Sequence, residues 1–96
     1  MATIEMYTRP GCGYCSHARH LLQSKGLPFV ECDVYQNPQQ VYALRGRTDK
    51  RTYPQIFIND LSVGGFEELL ALEKENRLPV NDRLEPYTTR LKKPGA

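Results

Sequence analysis

The first twenty-five residues change hydrophobic period across a single break, and that change restricts what can be built on them. Ile4 to Thr8 alternates apolar and polar side chains, which is the period of a strand. Arg9-Pro10-Gly11 breaks the run. From Cys12 to Lys25 the apolar residues Cys15, Ala18, Leu21 and Leu22 fall on one face of a helix. Gly26 ends that helix, with Lys25 in its last turn and Pro28 beyond. A strand that turns directly into a helix, with a cysteine at the joint, calls for an α/β architecture.

The remaining patterns extend this unit. Phe29 to Val34 is rich in β-formers and reads as a second strand. Asn37-Pro38 has the form of an N-cap followed by a proline at the first helical position. It predicts a short helix that carries Val41 and Leu44 and closes near Gly46. Arg45 to Thr52 is a polar, basic loop. Gln55-Ile56-Phe57-Ile58, Asn59-Asp60 and Leu61-Ser62-Val63 form a hairpin pattern with a two-residue turn. Gly64-Gly65 opens a last helix with Phe66, Leu69, Leu70 and Leu72 as its apolar members. Glu67 and Glu68 sit in its first turn, where carboxylates suit the dipole. The order is β-α-β-α-β-β-α, with a right-handed parallel crossover first and an antiparallel hairpin later. A mixed four-stranded sheet flanked by three helices follows.

At 96 residues the chain suffices for one core. No stretch approaches the roughly 18 apolar residues of a membrane helix, and no membrane partner is expected. The N-terminal residues lack a basic region, a long apolar run and a small-residue cleavage site, so a cytoplasmic setting is expected. In the cytosol a lone cysteine pair is more often catalytic or metal-binding than structural. The net charge is only +2, with Arg83, Arg90, Lys92 and Lys93 concentrated near the C-terminus. The expected division is a domain over residues 1–80 and a poorly ordered, solubilising basic tail over 81–96. No aromatic residues interleave with the bases, so nucleic acid is not an expected partner.

Cys12-Gly13-Tyr14-Cys15 carries the chemistry. Cysteines three apart across a helix start can close a disulfide without unwinding the helix. Cys12 falls where the helix offers unpaired N–H groups and its positive end, which stabilises a thiolate. Arg9 adds a positive charge nearby. Cys15, one turn in and on the apolar face, suits the resolving thiol, so exchange would run through a mixed disulfide on Cys12. The rival reading is half of a zinc site completed by Cys32, His17 or His20. On a helix Cys15 and His17 are separated by roughly 200°, which opposes it. Cys32 reads as a small apolar core residue, and no metal ligand is assigned.

Three segments in order resemble the glutaredoxin family. Tyr7-Thr8-Arg9-Pro10-Gly11-Cys12-Gly13-Tyr14-Cys15 is similar to the active-site segment of its dithiol members. Thr52-Tyr53-Pro54-Gln55-Ile56-Phe57-Ile58-Asn59 resembles their threonine–valine–proline segment. Gly64-Gly65-Phe66-Glu67-Glu68-Leu69 resembles their glycine–glycine–x–aspartate–aspartate–leucine segment. The resemblance spans residues 2–78 and is closest to the small bacterial members.

The resemblance implies a thioredoxin fold with strand order 2-1-3-4 and strand 3 antiparallel. It also implies glutathione as co-substrate, no tightly bound cofactor, and a monomer acting on glutathionylated or disulfide-containing proteins. It implies a cis bond at Pro54 and a glutathione site formed by Arg9, Tyr14, Thr52, Tyr53, Pro54, Gly65, Phe66 and Glu67. Three departures stand out. Gly13 replaces a proline, Tyr53 replaces a valine and is expected to narrow the groove, and glutamates replace aspartates at 67 and 68. Relatives without that proline include dimers that hold a [2Fe–2S] cluster with two glutathiones, which is the alternative function. A thioredoxin-type reductant is a further one, opposed by the absence of tryptophan.

Overall fold

A computed structural model of the chain describes residues 3–79. Seven elements run in the expected order: β1 (Ile4–Thr8), α1 (Gly13–Ser24), β2 (Val30–Asp33), α2 (Gln40–Arg45), β3 (Gln55–Ile58), β4 (Leu61–Gly64) and α3 (Phe66–Lys74). The strands form one mixed sheet in the order β2-β1-β3-β4. β1 pairs parallel with β2, Tyr7 lying opposite Cys32, and antiparallel with β3, Met6 lying opposite Ile56. β3 and β4 are antiparallel. This is the thioredoxin fold.

Alternation along β1 and β3 divides the core between the two faces of the sheet. Ile4, Met6 and Ile56 meet Ala18 and Leu22 of α1 and Leu69 of α3 on one face. Tyr7 and Phe57 meet Val34 and Leu44, the latter on α2, on the other. The central strands are buried and the edge strands β2 and β4 largely exposed, which is why only β1 and β3 carry strong apolar patterns. Arg47 closes the second face. Its guanidinium sits 3.9 Å from the centre of the Phe57 ring and holds Glu5 through two hydrogen bonds, of 2.8 and 3.1 Å.

The joints follow local chemistry. Asn59 and Asp60 both adopt positive φ, as a two-residue hairpin turn requires. Gly26, at φ 66°, ends α1 in a Schellman motif: its N–H reaches the Gln23 carbonyl and the Leu27 N–H reaches that of Leu22, both at 3.0 Å. Asn76 repeats the device after α3.

α2 differs from expectation. It starts at Gln40, after a turn at 38–39, instead of at Pro38, and its cap position Gln39 makes no side-chain bond. The cause is the preceding turn. Asp33 Oδ1 accepts the Tyr35 N–H at 2.8 Å, and the Asn37 amide donates to the Asp33 carbonyl at 3.1 Å, so Asn37 is engaged backward and does not cap forward. The expected tail over 81–96 lies outside the described residues. Among the described residues no helix is long and apolar enough to cross a membrane.

Candidate active site

Everything reactive gathers where β1 hands over to α1. Gly11, at φ 72°, makes the turn that brings Cys12 to the N-cap of α1. There the sulfur does what a serine or aspartate oxygen ordinarily does: it accepts the Cys15 backbone N–H, at 3.1 Å. The Cys12 carbonyl meanwhile accepts the first helical bond, from Ser16. Cys12 is half-buried, whereas Cys15 is 1 % exposed and covered by the helix. The two sulfurs are joined as a disulfide, with Cα atoms 5.2 Å apart. Accessibility therefore differs between the two as the sequence pattern demanded.

Across from this pair, the segment before β3 approaches the same sulfur. The Tyr53–Pro54 bond is cis, and the Tyr53 carbonyl oxygen lies 3.6 Å from Cys12 Sγ. The Tyr53 ring packs against the second core cluster while its residue also borders the groove. A groove of about 450 Å³ runs from here to the start of α3. Arg9, Tyr14, Thr52, Tyr53, Pro54, Gly65, Phe66 and Glu67 all line it, as do Arg51 and Glu68. The eight positions named from the sequence are thus brought to one surface.

The walls carry both charges. Arg9 and Arg51 bring positive charge to the lining, Glu67 and Glu68 negative charge. The two glutamates are not equivalent. Glu68 Oε1 accepts the Gly65 N–H at 2.7 Å and closes the start of α3, so it is engaged in the fold. Glu67 is exposed and makes no ion pair or hydrogen bond among the described residues. The first intrahelical bond of α3 comes from the Leu69 N–H. The N–H groups of Phe66 and Glu67 precede it and stand at the positive end of the helix. Tyr14 stacks on Phe66, with centroids 6.3 Å apart, so the aromatic rim of the groove joins α1 to α3.

A second cleft, about 420 Å³, opens on the other side of Cys12. Arg19 and Glu31 face each other there through two hydrogen bonds, of 2.8 and 2.7 Å, and Thr8 donates to the same carboxylate at 2.9 Å. The Arg19 guanidinium holds the Glu31 carboxyl below the usual carboxylate range, and Arg47 does the same for Glu5. Cys32 lies away from the pair on β2, where burial, and then the Asp33 charge, push its thiol up. His17 turns toward Phe66, 5.5 Å between centroids. Among the described residues no group of three or more His, Cys, Asp or Glu side chains is placed to share a metal.

Sequence reasoning did not assign Arg51 to the groove, although its position beside Thr52 made it a candidate. It named Glu68 only as a generic dipole partner. The three-residue step from Gly65 was the signal for its specific capping bond.

A bonded cysteine pair at the first helix of a thioredoxin fold, with one sulfur reachable and the other covered, is built for disulfide exchange, and the protein is a thiol–disulfide oxidoreductase. Residues 4–63 match the family model described as Glutaredoxin. The chain is 38 % identical over 78 residues to Glutaredoxin 3 of Escherichia coli K12, a match covering 81 % of this chain and 94 % of that one. The solution structure of glutaredoxin from Brucella melitensis is 40 % identical, with a TM-score of 0.68 and coverage of 95 % and 96 %. A buckwheat glutaredoxin–glutathione complex, 24 % identical with a TM-score of 0.72 and coverage of 80 % and 73 %, shares the fold. The chain belongs to the glutaredoxin family.

Proposed function

We propose that the protein is a glutathione-dependent oxidoreductase that releases glutathione from protein mixed disulfides through Cys12 and reduces protein disulfides through Cys12 and Cys15. The observation that carries this is the groove beside the Cys12 sulfur, lined by both arginines and glutamates. Glutathione has two carboxylates and one ammonium group. Arg9 and Arg51 suit the glycine carboxylate. The Phe66 and Glu67 N–H groups suit the other carboxylate, and the free Glu67 side chain suits the ammonium group. The Tyr53 backbone, alongside the sulfur, can pair with the cysteinyl backbone of the tripeptide as a short added strand. The volume falls in the usual range for a small-molecule site. The buckwheat relative, solved with glutathione, lends support to the same ligand.

The reaction follows. With the internal disulfide reduced, the Cys12 thiolate attacks the glutathione sulfur of a protein mixed disulfide. The old S–S bond breaks, the protein thiolate leaves and takes a proton, and Cys12 is left bonded to glutathione. The thiolate of a second glutathione attacks that glutathione sulfur, giving glutathione disulfide and restoring Cys12. When the substrate is a protein disulfide, Cys12 opens it and releases one protein thiol; Cys15 then loses its proton and attacks the Cys12 sulfur, which breaks the Cys12–protein bond and releases the second thiol. Two glutathiones then reduce the Cys12–Cys15 bond: the first attacks Cys12 and frees Cys15, and the second removes the first from Cys12 as glutathione disulfide.

A coupled assay with glutathione, glutathione reductase and a glutathionylated peptide tests the reading. Cys12→Ser should abolish turnover, and Cys15→Ser should retain it while losing protein-disulfide reduction. Equal loss in both variants, or electrons accepted from a flavoprotein thioredoxin reductase in place of glutathione, would overturn it.

A further inference from the structure

Among the described residues two polar side chains are buried, Thr8 and Gln55, and they are treated differently. Thr8 places its hydroxyl on Glu31. Gln55, 0 % exposed, uses only one end of its amide. Nε2 donates to the Thr52 carbonyl at 2.7 Å and to the Thr52 hydroxyl at 3.1 Å. Oε1 has no partner, the one buried side-chain polar atom in that condition among the described residues. A buried acceptor left without a donor is costly, and an apolar side chain of the same length would avoid the cost. The amide is retained for what its donor end does.

That end reaches the groove. Gln55 opens β3 and lies opposite Tyr7 of β1, so its backbone is fixed in the centre of the sheet. Its two bonds tie Thr52, an exposed residue of the preceding loop, to that anchor. Thr52 lines the groove, and the next carbonyl along, that of Tyr53, is the one 3.6 Å from Cys12 Sγ. We infer that Gln55 is a positioning residue for thiol exchange. It holds the Thr52–Tyr53 edge at the distance from the Cys12 sulfur at which the glutathionyl backbone can pair with it. The inference rests on glutathione being the occupant of the groove. Gln55 itself touches neither sulfur nor ligand.

Gln55→Met tests it, since methionine matches the length while removing both donors and the orphaned acceptor. KM for a glutathionylated peptide should rise about tenfold, the worth of a tether of this kind. kcat should stay within about twofold, because the Cys15 N–H at the Cys12 sulfur is untouched. The melting temperature should stay within about 4 °C of the parent, as lost bonds and a relieved acceptor offset each other. An unchanged KM overturns the inference. So does a fall in kcat and melting temperature together with the KM change, which is what a merely structural role produces.

If Gln55→Met does not fold, the Cys15→Ser protein gives a second reading by NMR. Its Gln55 side-chain amide protons should shift when Cys12 is glutathionylated, and protons that stay put overturn the inference. A parent protein without glutathione-dependent turnover would instead remove the reading of the groove, and this inference with it.

Discussion

Two helices begin at the groove, and each uses its N-terminus differently. α1 is capped by the Cys12 sulfur, which accepts the Cys15 N–H and stands at the positive end of twelve helical residues. α3 is capped by Glu68, which reaches back to the Gly65 N–H. In α1 the free donors and the dipole fall on the reacting atom itself. In α3 the cap is satisfied from within, so that the Phe66 and Glu67 N–H groups remain at the groove. One elementary resource, the unpaired N–H groups of a helix start, thus serves a nucleophile in one place and a ligand site in the other. The third helix makes the contrast plain. α2 has six residues, no side-chain cap and no part in the groove, and its face of the sheet is closed by Arg47.

The largest effect that could break this comparison lies at the two glutamates. Glu67→Lys should raise KM for a glutathionylated peptide by about tenfold, because a free carboxylate becomes a repelling cation. Glu68→Ala should leave KM within about twofold and lower stability by about 1 kcal/mol in urea unfolding, the usual worth of a cap. If the two variants exchanged these phenotypes, the division of labour at α3 would be wrong.

Arg47→Met probes the face without a functional helix start. Loss of the Glu5 pair and of the contact with Phe57 should cost about 2 kcal/mol at pH 7 with unchanged KM. The pH dependence has a definite sign. The Glu5 carboxyl is held below its ordinary value in the folded state, so its stabilisation is present above the unfolded value. It is lost as pH falls through the folded value, and the gap between parent and variant should shrink toward acid. A gap constant from neutrality into acid would show that the pair contributes nothing.

Gly13→Pro is the gentlest probe. Gly13 is the first helical residue of α1, nothing lies within 4 Å of the Cβ it would gain, and proline is favoured at that position. Stability should rise by about 0.5–1 kcal/mol, a change that thermal unfolding would register. A destabilised variant would mean that the Gly13 N–H is needed where it is.

Much of this was legible in the sequence, for reasons that differ by element. The order of strands and helices followed from period changes and from punctuation whose geometry is local: Gly26 at a positive φ, and Asn59-Asp60 in the hairpin turn. The strand order and the membership of the groove came from the resemblance of three segments, and all eight positions named for the site reach one groove. The start of α2 was misread because Asn37 has two uses for its side chain, and the turn at Asp33 claims it. The Tyr53 substitution read as a narrowing of the groove, yet its ring is also taken up by the second core cluster. Arg51, Arg47 and Gln55 escaped notice because their work is tertiary. Arg51 only lines a groove that the fold assembles, Arg47 acts across the sheet on Glu5, and Gln55 acts through a bond that only the loop geometry reveals.

Exchange at Cys12 depends first on the ionisation of the sulfur at the start of α1. In reduced Cys15→Ser protein, the rate of Cys12 alkylation by iodoacetamide should stay nearly constant from pH 8 down through neutrality. That is the behaviour of a thiol ionised well below the ordinary value of about 8.5. A rate that keeps falling about tenfold per pH unit below that value, as for a free cysteine, would contradict it.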